Sequence, residues 1–170
     1  MFLHVATIVL VVVPLAFWLF CALSAARTVR GIPDPASLRP KMPGVWPRLS
    51  VIMTACKEEG TLRDAMTSKL ADGYTDAEFI VVDDRSIDGT GTIIDALAAS
   101  DERVKPLHLT TLPPDWLGKV HAMHRAAQVA TGDWILFSDA DVHLAPGTLR
   151  RAIAYCEMEK LDHLALLPEV

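Results

Sequence analysis

Residues 77–90 read AEFIVVDDRSIDGT. An apolar, β-branched run from Phe79 to Val82 stops abruptly at Asp83 and Asp84, and Asp88-Gly89-Thr90 follows four residues later. A short continuous apolar run of this composition predicts a strand covered on both faces. The Asp-Gly pair predicts a turn, and Asp88 or Thr90 is suited to cap a following helix over DGTGTIIDALAAS. A buried strand that ends in carboxylates and turns into a helix is the opening of a strand–helix–strand unit.

The flanking sequence repeats that unit. Upstream, LSVIMTA (49–55) predicts another buried strand, and residues 61–71 place Leu62, Ala65, Met66 and Leu70 on one helical face. Downstream, RVKPLHL (103–109) predicts a weaker third strand broken by Pro106. Residues 118–132, GKVHAMHRAAQVATG, put Val120, Met123, Ala127 and Ala130 on one helical face, with Gly132 as C-cap. DWILFSDAD (133–141) predicts the fourth strand. The helix PGTLRRAIAYCEMEKL carries Leu149, Ile153 and Cys156 in register, and LALLPEV (164–170) reads as the start of another strand. Alternating strands and helices with apolar strands predict an α/β fold built on a parallel, doubly covered sheet. Ligands of such sheets bind beyond the carboxyl ends of the strands. Thr54, the Asp83-Asp84 pair and Asp139-Ala140-Asp141 fall at that end, so four carboxylates share one rim.

The N-terminus differs in kind. Residues 2–26 contain no Asp, Glu, Lys or Arg, and as a helix they span roughly 37 Å, enough for a hydrocarbon core of about 30 Å. A retained transmembrane anchor is the expectation. A cleaved signal peptide, with Ser24-Ala25-Ala26 before Arg27, is the competing reading; the length of the run and the lack of a preceding Lys or Arg stand against it. Residues 27–48 form a basic, Pro-rich linker with Arg27, Arg30, Arg39, Lys41 and Arg48 against Asp34. Positive charge on that side of an anchor predicts a cytoplasmic domain in a single-pass membrane protein. From Leu49 onward 11 Lys and Arg face 20 Asp and Glu, a poor surface for nucleic acid. The three cysteines, Cys21, Cys56 and Cys156, show no metal-ligand spacing.

Each chemical pattern has a plain structural alternative. Asp139 and Asp141 project to one side of an extended backbone and could hold a hard divalent cation; either could instead cap the next turn. Asp83 and Asp84 could accept hydrogen bonds from a base or ribose, or simply end a strand. Gly118-Lys119 at a helix start is suited to phosphate, without the spacing of a P-loop, and Lys119 could equally be a solvated lysine. His121, His124 and His143 read as packing, surface or loop histidines, because no third metal ligand accompanies them.

Taken in order, SVIMTACKEEGTL, FIVVDDRSIDGT, LPPDWLGKVHAMHRA and WILFSDADVHLAPGTL resemble the N-terminal half of a family 2 glycosyltransferase of the GT-A type. LPPDWLGK and EKLDHLALLP are most similar to its membrane-anchored, hopene-associated branch. The resemblance covers residues 49–170 and implies a Rossmann-like GT-A nucleotide-sugar-binding domain, here a donor-binding half-domain, preceded by one transmembrane helix. It implies an inverting transferase with a nucleotide-sugar donor, a lipid or hopanoid-type acceptor, and Mn²⁺ or Mg²⁺ as cofactor. On that pattern Thr54, Asp83, Asp84, Lys119 and Asp139 serve the donor. Asp141, with Asp139, ligates the metal. Two departures stand out: Cys56-Lys57 occupy the place where the family has Asn, and His121 stands where the branch has an aromatic. The family's general base, a later acidic residue, is expected to lie outside this chain. Two alternatives are a non-catalytic nucleotide-binding membrane protein and a receiver-like phosphoacceptor domain, which also pairs aspartates at strand ends.

Overall fold

The computed structural model describes residues 2–31 and 37–166. The chain divides into two units, Met1–Leu38 and Arg39–Val170. The first contains one helix among its described residues, α1 (Phe2–Gly31), with Pro14 inside it. Its segment Leu10–Thr28 is long and apolar enough to cross a membrane. Leu10, Leu15, Phe17, Trp18 and Phe20 are all exposed on it, so the helix is apolar all round rather than along one stripe.

The second unit alternates β1 (Leu49–Ala55), α2 (Leu62–Leu70), β2 (Ala77–Asp84), α3 (Thr90–Ser100), β3 (Val104–Leu109), α4 (Gly118–Ala127), β4 (Trp134–Asp139) and α5 (Thr148–Glu159). The four strands form a parallel sheet in the order β3-β2-β1-β4. β1 therefore lies between β2 and β4, the arrangement of a dinucleotide-type sheet. In a receiver domain the first strand lies between the second and third, so the topology removes the receiver-like alternative.

Side-chain parity separates two cores. Val51, Met53, Phe79 and Val81 pack with Leu62 and Met66 of α2, Ile94 and Leu97 of α3, and Leu149 and Ile153 of α5. Ile52, Ile80 and Val82 pack with Leu109 and with Ala122 and Ala126 of α4. Among the described residues α4 alone covers this second face, and it leaves Ile135 and Phe137 of β4 42% and 47% exposed. The covering of β4 is thus one-sided, against the expectation of a doubly covered strand.

A buried polar network closes the amino end of the sheet. Glu78 Oε1 accepts hydrogen bonds from Ser50 Oγ at 2.6 Å and from Thr131 N and Oγ1 at 2.7 and 2.9 Å. Burial pushes this carboxyl up, but the bonds from Ser50 and Thr131 outweigh burial and hold its pKa below the usual range.

Several local expectations are corrected. Pro106 does not break β3, because β3 is an edge strand whose outer backbone groups need no partner. α4 buries His121, Ala122 and Ala126 and leaves Val120 half exposed, a rotation of the expected face by about one residue. The helix ends at Ala127, so Gly132 is not its cap; a Cβ there would lie 2.5 Å from the Ser50 nitrogen, so glycine is required for that close approach. α3 begins after Gly89, with Asp88 accepting from the nitrogen and hydroxyl of Thr90 instead of from a later turn. Residues 161–166 form no strand, and 167–170, the rest of the expected fifth strand, lie outside the described residues.

Candidate functional site

The carboxyl ends of β1, β2 and β4 open into a depression of about 420 Å³. It is lined by Thr54, Ala55, Cys56, Glu58, Asp84, Lys119, Asp139, Ala140 and Asp141. Strand pairing sets this convergence, because Thr54 lies opposite Asp139 and Ala55 opposite Asp83. Lys119 reaches the same place from the first turn of α4.

Three backbone turns shape the rim. Lys57, Arg85 and Asp115 adopt positive φ of 63°, 58° and 65°, a conformation that costs a non-glycine residue free energy and collects at functional sites. The β1 and β2 loops are stapled together: Lys57 N donates to Ser86 Oγ at 3.1 Å, Glu58 N to Thr90 Oγ1 at 2.8 Å and Gly89 N to Glu59 Oε2 at 2.7 Å.

Asp84 ends β2 almost fully buried, and its two oxygens are gripped by Arg85 Nε at 2.8 Å and Nη2 at 3.1 Å. Gly118 packs directly on this pair. A Cβ at that position would lie 2.6 Å from Arg85 Nη2 and 2.8 Å from Asp84 Oδ2. Trp116, just before it, lies edge-on to the buried ring of His121 and is tilted over His124. His121 Nδ1 is buried without a partner.

Asp83 shares the rim but not the depression. Its side chain has the parity of Val81 and faces α3. It accepts from Ser86 N at 3.1 Å and pairs with His108 Nδ1 at 3.2 Å, while His108 Nε2 pairs with Asp95 at 3.0 Å. The contacts with Asp95 and Asp83 raise the His108 pKa. Of the residues singled out in the sequence, Thr54, Asp84, Lys119, Asp139 and Asp141 are brought together, and Asp83 is held on the other face of β2.

The Asp139–Asp141 turn is held from two sides. In front, Lys119 Nζ pairs with Asp139 Oδ1 at 2.5 Å, both side chains being more than half exposed. Behind, α2 clasps the turn: Lys69 Nζ donates to the Val142 carbonyl, and Leu144 N donates to Ser68 Oγ at 3.1 Å. Asp72 caps α5 by accepting from Leu149 N at 3.2 Å, and its burial raises its pKa. The donor set of Asp139 and Asp141 suits Mn²⁺ or Mg²⁺, because both carboxylates are hard oxygen ligands. No group of three or more acidic, His or Cys side chains gathers among the described residues. Two protein ligands leave most positions of such an ion to water and to ligand oxygens, as hard cations bound with phosphates require.

Sequence reasoning assigned no site role to Lys69, Arg85, Cys56 or Glu58. The last two follow β1 directly, so their place at a strand end was a signal. Lys69 and Arg85 gave none, because a lysine in an amphipathic helix and an arginine in a turn read as solvated.

A model of glycosyl transferase family 2 matches residues 50–166. An uncharacterized glycosyltransferase of Haemophilus influenzae is 29% identical over 147 residues, which is 71% of this chain and 57% of that protein. The putative glycosyltransferase EpsE of Bacillus subtilis is 32% identical over 115 residues, 67% of this chain and 40% of that protein. Among solved structures, the mannosyltransferase PcManGT of Pyrobaculum calidifontis, in complex with GDP-Man and Mn²⁺, superposes with a TM-score of 0.63 at 26% identity, over 79% of this chain and 39% of its own. TarS 1-349 of S. aureus in complex with UDP-GlcNAc gives 0.54 at 27% identity, over 65% and 31%. The chain thus spans 57% and 40% of the lengths of those two curated relatives.

Proposed function

The chain belongs to glycosyl transferase family 2, and from that premise we propose that its depression binds a nucleotide-sugar and serves glycosyl transfer. The observation that carries this reading is the convergence of Thr54, Asp84, Lys119, Asp139 and Asp141 on one strand-end depression. Asp84, fixed by Arg85, would accept an N–H of the base or a ribose hydroxyl. Asp83 then serves from behind, ordering the β2 loop through Ser86 and His108. Lys119, near the amino end of α4, would exchange Asp139 for a phosphate oxygen. Asp141 and Asp139 would hold Mn²⁺ or Mg²⁺, which when bound neutralises charge on the diphosphate leaving group.

The neighbours support a nucleotide diphosphate donor, since PcManGT was solved with GDP-Man and Mn²⁺ and TarS with UDP-GlcNAc. In this reading residues 2–26 anchor the chain in a membrane, 27–48 are a basic linker on its cytoplasmic side, and 49–170 supply the donor- and metal-binding half. An anchored site favours a lipid acceptor, of hopanoid type if the chain belongs to the hopene-associated branch. A non-catalytic nucleotide-binding role needs the same site. Product formation from a radiolabelled sugar nucleotide separates the two.

The test is calorimetric titration of the full chain, in detergent, with UDP-GlcNAc and GDP-Man, each with and without Mn²⁺. Binding that requires Mn²⁺ and is lost in Asp141→Asn is expected. Absence of metal-dependent binding of either donor would overturn the reading.

A further inference from the structure

Lys69 is almost fully enclosed. It is 1% exposed and ranks with the largest fully buried side chains of the protein. A lysine this enclosed requires compensation. Its hydrogen bond goes to the Val142 carbonyl, and the carboxylates that act on its charge are Asp141 and Asp139. Burial pulls its pKa down to about 8, while Asp141 and Asp139 push it up.

The two carboxylates of the turn therefore carry two positive partners of unequal mobility. Lys119, in front, is 60% exposed and free to swing away. Lys69 is encased behind the turn, which α2 also grips through Ser68. A divalent cation approaching the nucleotide-free protein meets carboxylates whose charge Lys119 and Lys69 offset in part. A diphosphate changes the balance, because it brings its own negative charge and offers Lys119 another partner.

We propose that Lys69 is a built-in counter-ion of the Asp139–Asp141 turn, and that its fixed charge makes tight cation binding depend on the nucleotide diphosphate. The second clause rests on the donor-site reading given above; the first does not. Lys69 acts here as a positioning and charge-setting residue, without touching the donor.

The experiment titrates Mn²⁺ into the full chain in detergent, counting free Mn²⁺ by electron paramagnetic resonance, with no nucleotide and with saturating UDP or GDP. For the unaltered chain, nucleotide is expected to tighten Mn²⁺ binding by roughly tenfold or more. Lys69→Met, of similar length and without charge, is expected to tighten Mn²⁺ binding in the nucleotide-free chain by roughly three- to tenfold. The nucleotide effect should shrink by the same factor. Lys69→Gln keeps an N–H donor and should show the same direction if Lys69→Met fails to fold by circular dichroism.

Mn²⁺ affinity that is unchanged or weaker in the folded uncharged variants, without nucleotide, overturns the counter-ion role. Equal Mn²⁺ affinity with and without bound nucleotide in the unaltered chain overturns the dependence, with no variant required. Failure of UDP and GDP to bind at all refutes the donor-site reading and the dependence with it, and the nucleotide-free comparison still decides the counter-ion role.

Discussion

Gly118→Ala is a one-methyl test of how the donor site is assembled. The added Cβ would sit 2.6 Å from Arg85 Nη2 and 2.8 Å from Asp84 Oδ2, short of a normal van der Waals separation of about 3.5 Å by roughly 0.8 Å. Asp84 cannot retreat, because it is buried at the end of β2 and paired with Leu109 of β3. Arg85 can, since its side chain is one-third exposed. The response is displacement of Arg85, with loss of its two hydrogen bonds to Asp84, and a small outward shift of the start of α4 to clear Asp84 Oδ2. Against that, alanine gains less than the roughly 1 kcal/mol it has over glycine in a helix interior, because Gly118 is the first residue of α4. The balance is a destabilisation of about 1 kcal/mol, a fall in Tm of about 5 °C for a domain of this size. Nucleotide affinity should fall roughly tenfold, because Asp84 is no longer held for the base. Differential scanning fluorimetry and calorimetry with UDP and GDP read the two effects. In an Arg85→Gly background, which also suits the positive φ at that position, the methyl meets only Asp84, so the two substitutions should couple by about 1 kcal/mol. A Gly118→Ala chain that gains stability and binds nucleotide unchanged would refute the reasoning.

Other consequences are equally concrete. Glu78→Ala leaves Ser50 Oγ and the Thr131 nitrogen and hydroxyl without their acceptor, and should cost about 1–3 kcal/mol in urea denaturation; a loss under about 1 kcal/mol would show that water replaces the carboxylate. The His108 pKa is raised in the folded chain above its ordinary 6.5, so its stabilisation is complete below that value and is lost as pH rises through the folded pKa. The urea midpoint of the unaltered chain should therefore fall relative to His108→Gln as pH rises above about 6.5, and parallel midpoints would contradict the ion pairs. Asp141→Asn takes a compensating carboxylate from the buried Lys69 and should lower Tm by a few degrees, while weakening Mn²⁺-supported nucleotide binding by at least tenfold or so. Removal of residues 1–31 should shift the chain from the membrane fraction to the supernatant in cell fractionation, and unchanged sedimentation with membranes would contradict an anchor.

Much of this was legible from sequence alone, for identifiable reasons. The strands Leu49–Ala55 and Ala77–Asp84 have the bounds their apolar runs suggest, because a strand covered on both faces writes its burial into every residue. Leu149, Ile153 and Cys156 are buried as their spacing implies, since helical periodicity is local. The strand ends carry the site because a parallel sheet aligns its carboxyl ends, so Thr54, Asp84 and Asp139 converge wherever those strands are neighbours.

What only the tertiary structure decided involves residues far apart in the chain. Asp83 and Asp84 are adjacent and chemically identical, but strand pleating sends one to His108 and the other to the depression. Pro106 is tolerated because β3 lies at the sheet's edge, a property of strand order rather than of RVKPLHL. Lys69 sits in an ordinary amphipathic pattern, yet it is buried because a turn 73 positions later folds over it. Periodicity and composition set which side chains seek the interior. Which charge lies behind which carboxylate depends on long-range packing, and that is why the counter-ion of the Asp139–Asp141 turn is visible only once the chain is folded.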